Sequence, residues 1–248
     1  MFADNRKTTG LALVLFCLGL LAALPARADY INYNDFDGLT VDFLNVREIS
    51  NTNPDQALFG MPTLVGNTTL FFPTDFSSTA SNGASDATGG TLEMTLRAKS
   101  GFAIAGVRIT EIGSYSLTGS GGTAATTASV SGLLTVGGDQ VALAPQPSGD
   151  TLSFSLPTDS AGSYTATAYI DLSGLGLTEV DFSLFNLLET SSESAPDNTT
   201  ATIQKSFESN KVEVELYATP VPLPGSVWLL GSSLAPLAWL RRRACCRQ

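Results

Sequence analysis

The chain has 248 residues, a formal net charge of −10 and no histidine. The missing imidazole removes a Ser-His-Asp triad, a Cys-His pair and every histidine-ligated metal site. The acid excess repels nucleic acid and anionic lipid, so neither is expected as a partner.

The amino terminus begins with Arg6 and Lys7, followed by an apolar core over residues 11–24. Ala26-Arg27-Ala28 closes it with the small-residue pattern that signal peptidase cuts. Residues 1–28 are therefore expected to be a helical signal peptide that engages the secretion translocon, leaving Asp29 as the first mature residue.

Residues 29–38 mix Tyr30, Tyr33 and Phe36 with Asn32, Asn34, Asp35 and Asp37. Leu39, Val41 and Phe43 then alternate with polar neighbours, as in a half-buried strand. Residues 51–56 read as a turn-rich loop, and 69–72 as a short apolar run closed by Pro73. Residues 77–90 are rich in Ser, Gly, Ala and Asp and read as a surface loop. Leu92, Met94, Leu96 and Ala98 give the clearest two-residue period, and 102–112 reads as the partner strand with Val107 and Ile109 inward.

The same alternation returns at Ala128 to Val136, at Leu152, Phe154 and Leu156, and at Tyr164 to Leu172. It returns again at Val180, Phe182 and Leu184. Residues 189–198 read as a polar loop. Ala201, Ile203 and Phe207 follow, then Val212, Val214 and Leu216. These are about ten strands at the roughly 8–12-residue spacing of a sandwich or barrel. One face of each is apolar and the other polar, which suits two antiparallel sheets packed together. The expectation is all-β: a single antiparallel, jelly-roll-like β-sandwich over residues 29–218, flanked by the signal-peptide helix and a carboxyl-terminal hydrophobic helix.

Residues 219–248 form a three-part tail. Val221-Pro222-Leu223-Pro224 is extended and incompatible with helix. Residues 225–240 carry no charge, and Arg241-Arg242-Arg243 follows. A sixteen-residue helix spans about 24 Å, short of a bilayer core of about 30 Å. The arginines hold the cytoplasmic side and the prolines face outward. A plain single-pass anchor and a lipid-anchor signal are the competing explanations.

Leader and tail together take seven of the 13 basic residues and one of the 23 acidic ones, leaving a body near −16. They also take all three cysteines, Cys17, Cys245 and Cys246. The body has neither a thiol nucleophile nor a disulfide, although an exported protein is free to form disulfides.

Chemistry-bearing candidates in the body are few. Asn32, Asn34, Asp35 and Asp37 offer oxygen ligands of the kind calcium prefers. Their spacing fails the helix-loop-helix pattern, because Tyr33 and Leu44 fall at its first and last ligand positions. No cofactor is expected, with calcium left open. Glu111 interrupts the alternation between Ile109 and Ile112. A bulge that leaves it solvated is the favoured explanation; a side chain pointing into the sandwich or a cleft is the other. The chain is expected not to be an enzyme.

The order of proline motif, hydrophobic helix and terminal arginine cluster, behind a signal peptide, resembles the PEP-CTERM sorting signal of Gram-negative bacteria. Pro222 and Pro224 match the family's two prolines, and Leu223 stands where its name-giving Glu would be. The resemblance covers residues 219–248. It implies export across the inner membrane and transient retention there by the tail. It further implies cutting by the membrane protease exosortase, and association with extracellular polysaccharide or biofilm matrix at the cell surface. Ala26, Ala28, Val221, Pro222, Leu223, Pro224, Arg241, Arg242 and Arg243 are the expected processing residues. A carbohydrate-binding module using Tyr30, Tyr33 and Phe36 is the alternative, and a glycoside hydrolase with two carboxyls in one cleft is a third.

Overall fold

The computed structural model describes residues 30–120, 126–194, 198–205 and 211–221. The expected leader, the hydrophobic segment of the tail and its arginines lie outside the described residues. Among the described residues no helix is long and apolar enough to cross a membrane.

The described residues form strands joined by turns and irregular segments, with no helix among them. They are β1 (Ile31–Asp37), β2 (Val41–Ser50), β3 (Thr63–Val65), β4 (Thr68–Phe71) and β5 (Ser77–Ser81). Next come β6 (Ser85–Ala98), β7 (Phe102–Thr118), β8 (Thr127–Val136), β9 (Asp139–Ala142) and β10 (Ala144–Pro145). The last are β11 (Ser153–Ser155), β12 (Ala161–Asp171), β13 (Glu179–Ser191), β14 (Thr200–Gln204) and β15 (Val212–Pro220).

Two antiparallel sheets result. The front sheet runs β1-β2-β6-β13-β8-β11, with β9 also paired to β8. The back sheet runs β10-β12-β7-β15-β4-β3, with β14 held between β5 and β7. The alternation read at Leu92, Met94 and Leu96 places those side chains inward, facing Val107, Ile109, Ile203 and Val214 across the core. Each such fully buried aliphatic or aromatic side chain contributes about 1.5–3 kcal/mol relative to exposure. The architecture is the expected β-sandwich.

Several expectations need correction. Fifteen strands, not about ten, form among the described residues, because short edge strands such as β3, β9 and β10 show too few alternations to be read. Residues 77–90 are not a surface loop but the whole of β5, a tight turn and the first part of β6. Asn82 (φ 49°) and Gly83 (φ 85°) are both left-handed, and the Ala84 amide donates to Ser81 O at 3.1 Å. That is the Asn-Gly turn geometry of tight strand reversals, and here it carries the chain from the back sheet to the front. Small residues are required there: a side chain on Gly90 would collide with Leu58. Glu189 to Ser191 extend β13 and so do not belong to a loop. Leu39 is 75% exposed, since β2 begins only at Val41.

β1 and β2 are irregular at matching places. Asn34 (φ 68°) and Asn45 (φ 52°) adopt left-handed backbone, and the pairing register shifts beside each. Asparagine tolerates this conformation better than most residues. The bulge at Asn45 flips the parity of β2. Val41 and Phe43 face inward before it, and Val46, Glu48 and Ser50 after it.

Candidate functional site

Three polar side chains meet in the centre of the sandwich. Glu111 stands on β7, the long middle strand of the back sheet. Asn186 stands on β13, the middle strand of the front sheet. Lys205 directly follows β14, and its backbone amide donates to Phe76 O at 2.9 Å. All three are wholly buried.

The Lys205 ammonium nitrogen Nζ donates to Glu111 Oε2 at 2.5 Å and to Asn186 Oδ1 at 2.5 Å. Asn186 Nδ2 donates to Glu111 Oε1. One carboxyl group therefore spans the amine and the carboxamide nitrogen, each through a different oxygen. The Phe76 ring lies 5.0 Å from Nζ and closes one side. Burial holds the Lys205 amine below its ordinary pKa, with the Glu111 charge opposing that shift.

Tyr164 borders the cluster. Its ring lies over Gly113, where any Cβ would strike it. Its hydroxyl is buried and has no hydrogen-bond partner among the described residues. Burial first, and the Glu111 charge second, push its pKa well above the tyrosine range.

Glu111 thus overturns the solvated-bulge expectation. Val107, Ile109, Glu111 and Gly113 all face inward, while Thr110 and Ile112 turn partly outward. The strand keeps its period, and Ile112 is the residue on the unexpected side. Asn186 and Lys205 were not singled out from the sequence, yet their parity carried the signal. Asn186 continues the inward series Val180, Phe182, Leu184, and Lys205 continues Ala201, Ile203.

A second buried carboxylate, Glu48, organises the segment between β2 and β3. It accepts the Leu58 amide at 2.8 Å, the Phe59 amide at 2.6 Å and the Tyr33 hydroxyl at 2.8 Å. Leu58 and Phe59 are thereby held in the core although they lie outside any strand. Phe59 meets Phe76 edge to face with ring centres 5.2 Å apart. Burial raises the Glu48 pKa, against these hydrogen bonds, which lower it. Burial, and then the Glu48 charge, raise that of Tyr33. A third acid, Glu193, is also buried and accepts from the Ser120 amide and, at 2.8 Å, from its hydroxyl.

The other candidates are dispersed. Asp35 accepts the Asn45 amide at 2.7 Å and Asp37 pairs with Lys99. Among the described residues no cluster of three or more His, Cys, Asp or Glu stands ready to hold a metal. Tyr33 is committed to Glu48, Phe36 packs on the core, and only Tyr30 is exposed, beneath the Arg47 guanidinium. The sequence-predicted aromatics therefore make no shared platform. One does occur on the outer face of the back sheet, where Tyr169 and Tyr217 meet edge to face at 5.9 Å. Arg108 lies over both rings. The Tyr217 hydroxyl donates to Glu215 at 2.6 Å, and its pKa is pushed up to about 12 by burial first and then by that bond. A groove on the outer face of the front sheet is lined by Arg47, Glu93, Glu179 and Asp181. Its glutamates are ion-paired, Glu93 with Arg47 at 2.8 Å and Glu179 with Arg97 at 2.6 Å.

Of the expected processing residues, Val221 is described. It is 47% exposed, and its amide donates to Gly101 O at 2.8 Å, directly after β15 ends at Pro220. Ala26, Ala28, Pro222, Leu223, Pro224, Arg241, Arg242 and Arg243 lie outside the described residues.

No known protein family and no curated protein sequence matches the chain. Among solved structures, one of the infectious bursal disease virus Gx strain is 12% identical over 68% of this chain and 49% of that one, at a TM-score of 0.19. The VP2 subviral particle of the same virus is 14% identical over 88% of this chain and 63% of that one, at a TM-score of 0.17. The chain spans between about half and just under two thirds of those chains. Likenesses at these TM-scores carry no argument about fold or function.

Proposed function

We propose that this is an exported structural or interaction protein of the cell envelope, processed at both ends and associated with extracellular polysaccharide. The observation that carries the proposal is the tail: Val221-Pro222-Leu223-Pro224, an uncharged stretch and Arg241-Arg242-Arg243, in that order, behind an Ala-x-Ala leader. Two structural facts are compatible with it. β1 starts at Ile31, just past Asp29, and β15 ends at Pro220, just before the proline motif. Cuts at both places would leave every strand of the sandwich whole. The acidic body stays soluble outside the membrane. The repeated passage between sheets at β5–β6, β6–β7 and β7–β8 supports jelly-roll-like winding.

The test is to produce the chain in a Gram-negative host with and without an exosortase and to weigh the exported form. The expected mass ends upstream of Arg241 only where the exosortase is present. Arg241 retained in both hosts would end the sorting proposal.

A second proposal, a carbohydrate-binding module, is favoured by the Tyr169–Tyr217 pair with Arg108 and Glu215 beside it. Tyr169 is 43% exposed beside the half-buried Tyr217; an aromatic surface of this kind suits the apolar face of a sugar ring, and the charged neighbours suit its hydroxyls. Calorimetric titration with the host's own polysaccharide is expected to show binding that Tyr169→Ala weakens about tenfold, a loss of about 1.4 kcal/mol. Flat titrations of the native protein would exclude this reading.

A further inference from the structure

We propose that Lys205 and Asn186 become joined by an intramolecular amide bond, formed once per molecule with Glu111 as the proton shuttle. The bond lies at the centre of the sandwich and does not depend on the sorting signal.

A lysine is almost never fully buried without a strong reason. Here it is buried together with the two groups needed to convert it. The nucleophile is the Lys205 amine. Desolvation favours its neutral form, which carries the lone pair. The electrophile is the Asn186 carboxamide. Its Oδ1 lies 2.5 Å from Nζ, and Cγ is one C=O bond beyond, about 1.23 Å. The shuttle is Glu111, with Oε2 on Nζ at 2.5 Å and Oε1 on Nδ2. The second contact satisfies the buried Asn186 amide, and it also places the same carboxyl group on the nitrogen that would leave.

The chemistry balances without any co-reactant. Glu111 Oε2 first takes one proton from the Lys205 ammonium, leaving a neutral amine and a protonated carboxyl group. The amine attacks Asn186 Cγ, and an Nζ–Cγ bond forms. The carboxyl group delivers its proton to Nδ2 and takes a second proton from Nζ. The Cγ–Nδ2 bond breaks and ammonia departs, carrying off that remaining proton as ammonium. Nothing is oxidised or reduced, and Glu111 ends as the carboxylate it was in the ion pair. An amide is ordinarily a poor electrophile. Holding the reactants in a fixed, dry arrangement is the effect that offsets this, with effective molarities of about 10⁵–10⁸ M in well-oriented systems. Phe76 lies over the amine and Phe59 packs edge to face on Phe76, so apolar rings line this side of the reacting atoms.

The bond would tie β13 of the front sheet to the end of β14 in the back sheet. The body between leader and tail has no cysteine. A covalent tie of this kind gives an exported sandwich what a disulfide gives others, and no reductant would open it.

The test uses the purified full-length chain, denatured and digested with a protease that cuts after glutamate. Glu189 and Glu193 lie between Asn186 and Lys205, so the two residues are separated unless they are bonded. The expected product is a branched peptide containing both, lighter than the sum of its parts by one ammonia. Tandem mass spectrometry would place the link at Asn186 and Lys205. Two linear peptides with intact masses would overturn the proposal. The native digest decides the bond whether or not any variant folds. Glu111→Gln is expected to abolish the branched peptide while the β-type circular dichroism persists. A branched peptide undiminished in folded Glu111→Gln would overturn the role given to Glu111.

Discussion

Lys205→Ala is expected to lower the free energy of unfolding by at least about 3–5 kcal/mol, the usual effect of breaking a buried ion pair from one side. Glu111 would lose its ion-pair partner and be left in the core with the Asn186 hydrogen bond. In a domain of this size that corresponds to a fall in Tm of about 6–20 °C. Denaturant unfolding of the purified protein would measure it. The triple variant Glu111→Leu, Asn186→Leu, Lys205→Met sharpens the result. Replacing a buried polar set by apolar residues of similar volume is often neutral or stabilising. If the three side chains are only hydrogen-bonded, the triple variant is expected to recover wild-type stability. If Lys205 and Asn186 are covalently joined, it also loses the restraint that closes the chain between residues 186 and 205. By the loop-entropy account used for disulfides, a closed loop of that size contributes about 3 kcal/mol. A persistent deficit of that order therefore separates the bond from the ion pair.

How legible this centre was in the sequence depended on parity. The alternation at Leu92, Met94 and Leu96 was readable because each strand there keeps strict register over many residues. The same rule, carried one step further along β7, β13 and beyond β14, puts Glu111, Asn186 and Lys205 inward. Glu111 stands out in the sequence but resembles a solvated bulge. Asn186 and Lys205 do not stand out at all, because a single polar residue at an inward position does not by itself announce a buried site. What no single strand could show is that the three inward positions coincide in space. That follows from the pairing of β14 with β7 and the packing of β13 against β14, both brought together by the fold and not by chain neighbourhood. Glu48 was hidden for a different reason. Counted from Val41 and Phe43, it falls on the outward side, and only the bulge at Asn45 turns it inward. Leu58 and Phe59 were hidden because an irregular segment has no period to read. Residues 77–90 failed as a loop because their small side chains answer to close packing, as Gly90 against Leu58 illustrates.

Glu48→Ala is expected to cost on the order of 4 kcal/mol. The estimate follows from what the carboxylate holds. The Leu58 and Phe59 amides lose their acceptor, and each buried donor left unsatisfied costs about 1–3 kcal/mol. The Tyr33 hydroxyl loses its partner as well. Phe59 would no longer be fixed against Phe71 and Phe76, so the deficit reaches the ring that covers Lys205. Hydrogen exchange should locate the damage, with the Leu58 and Phe59 amides losing protection first. Glu48→Gln keeps the shape and one acceptor oxygen, but its amide group confronts a backbone N–H, so about half that cost is expected. The pH dependence has a definite sign. Burial raises the Glu48 pKa in the folded state, so the fold binds this proton more tightly than the unfolded chain does. Its contribution is complete below the ordinary glutamate range and is lost as pH rises through the raised folded value. Stability measured across that window should therefore decline with rising pH in the native protein by an increment that Glu48→Gln removes. A native curve that parallels the Gln variant throughout would show that the three hydrogen bonds, and not burial, govern this carboxylate.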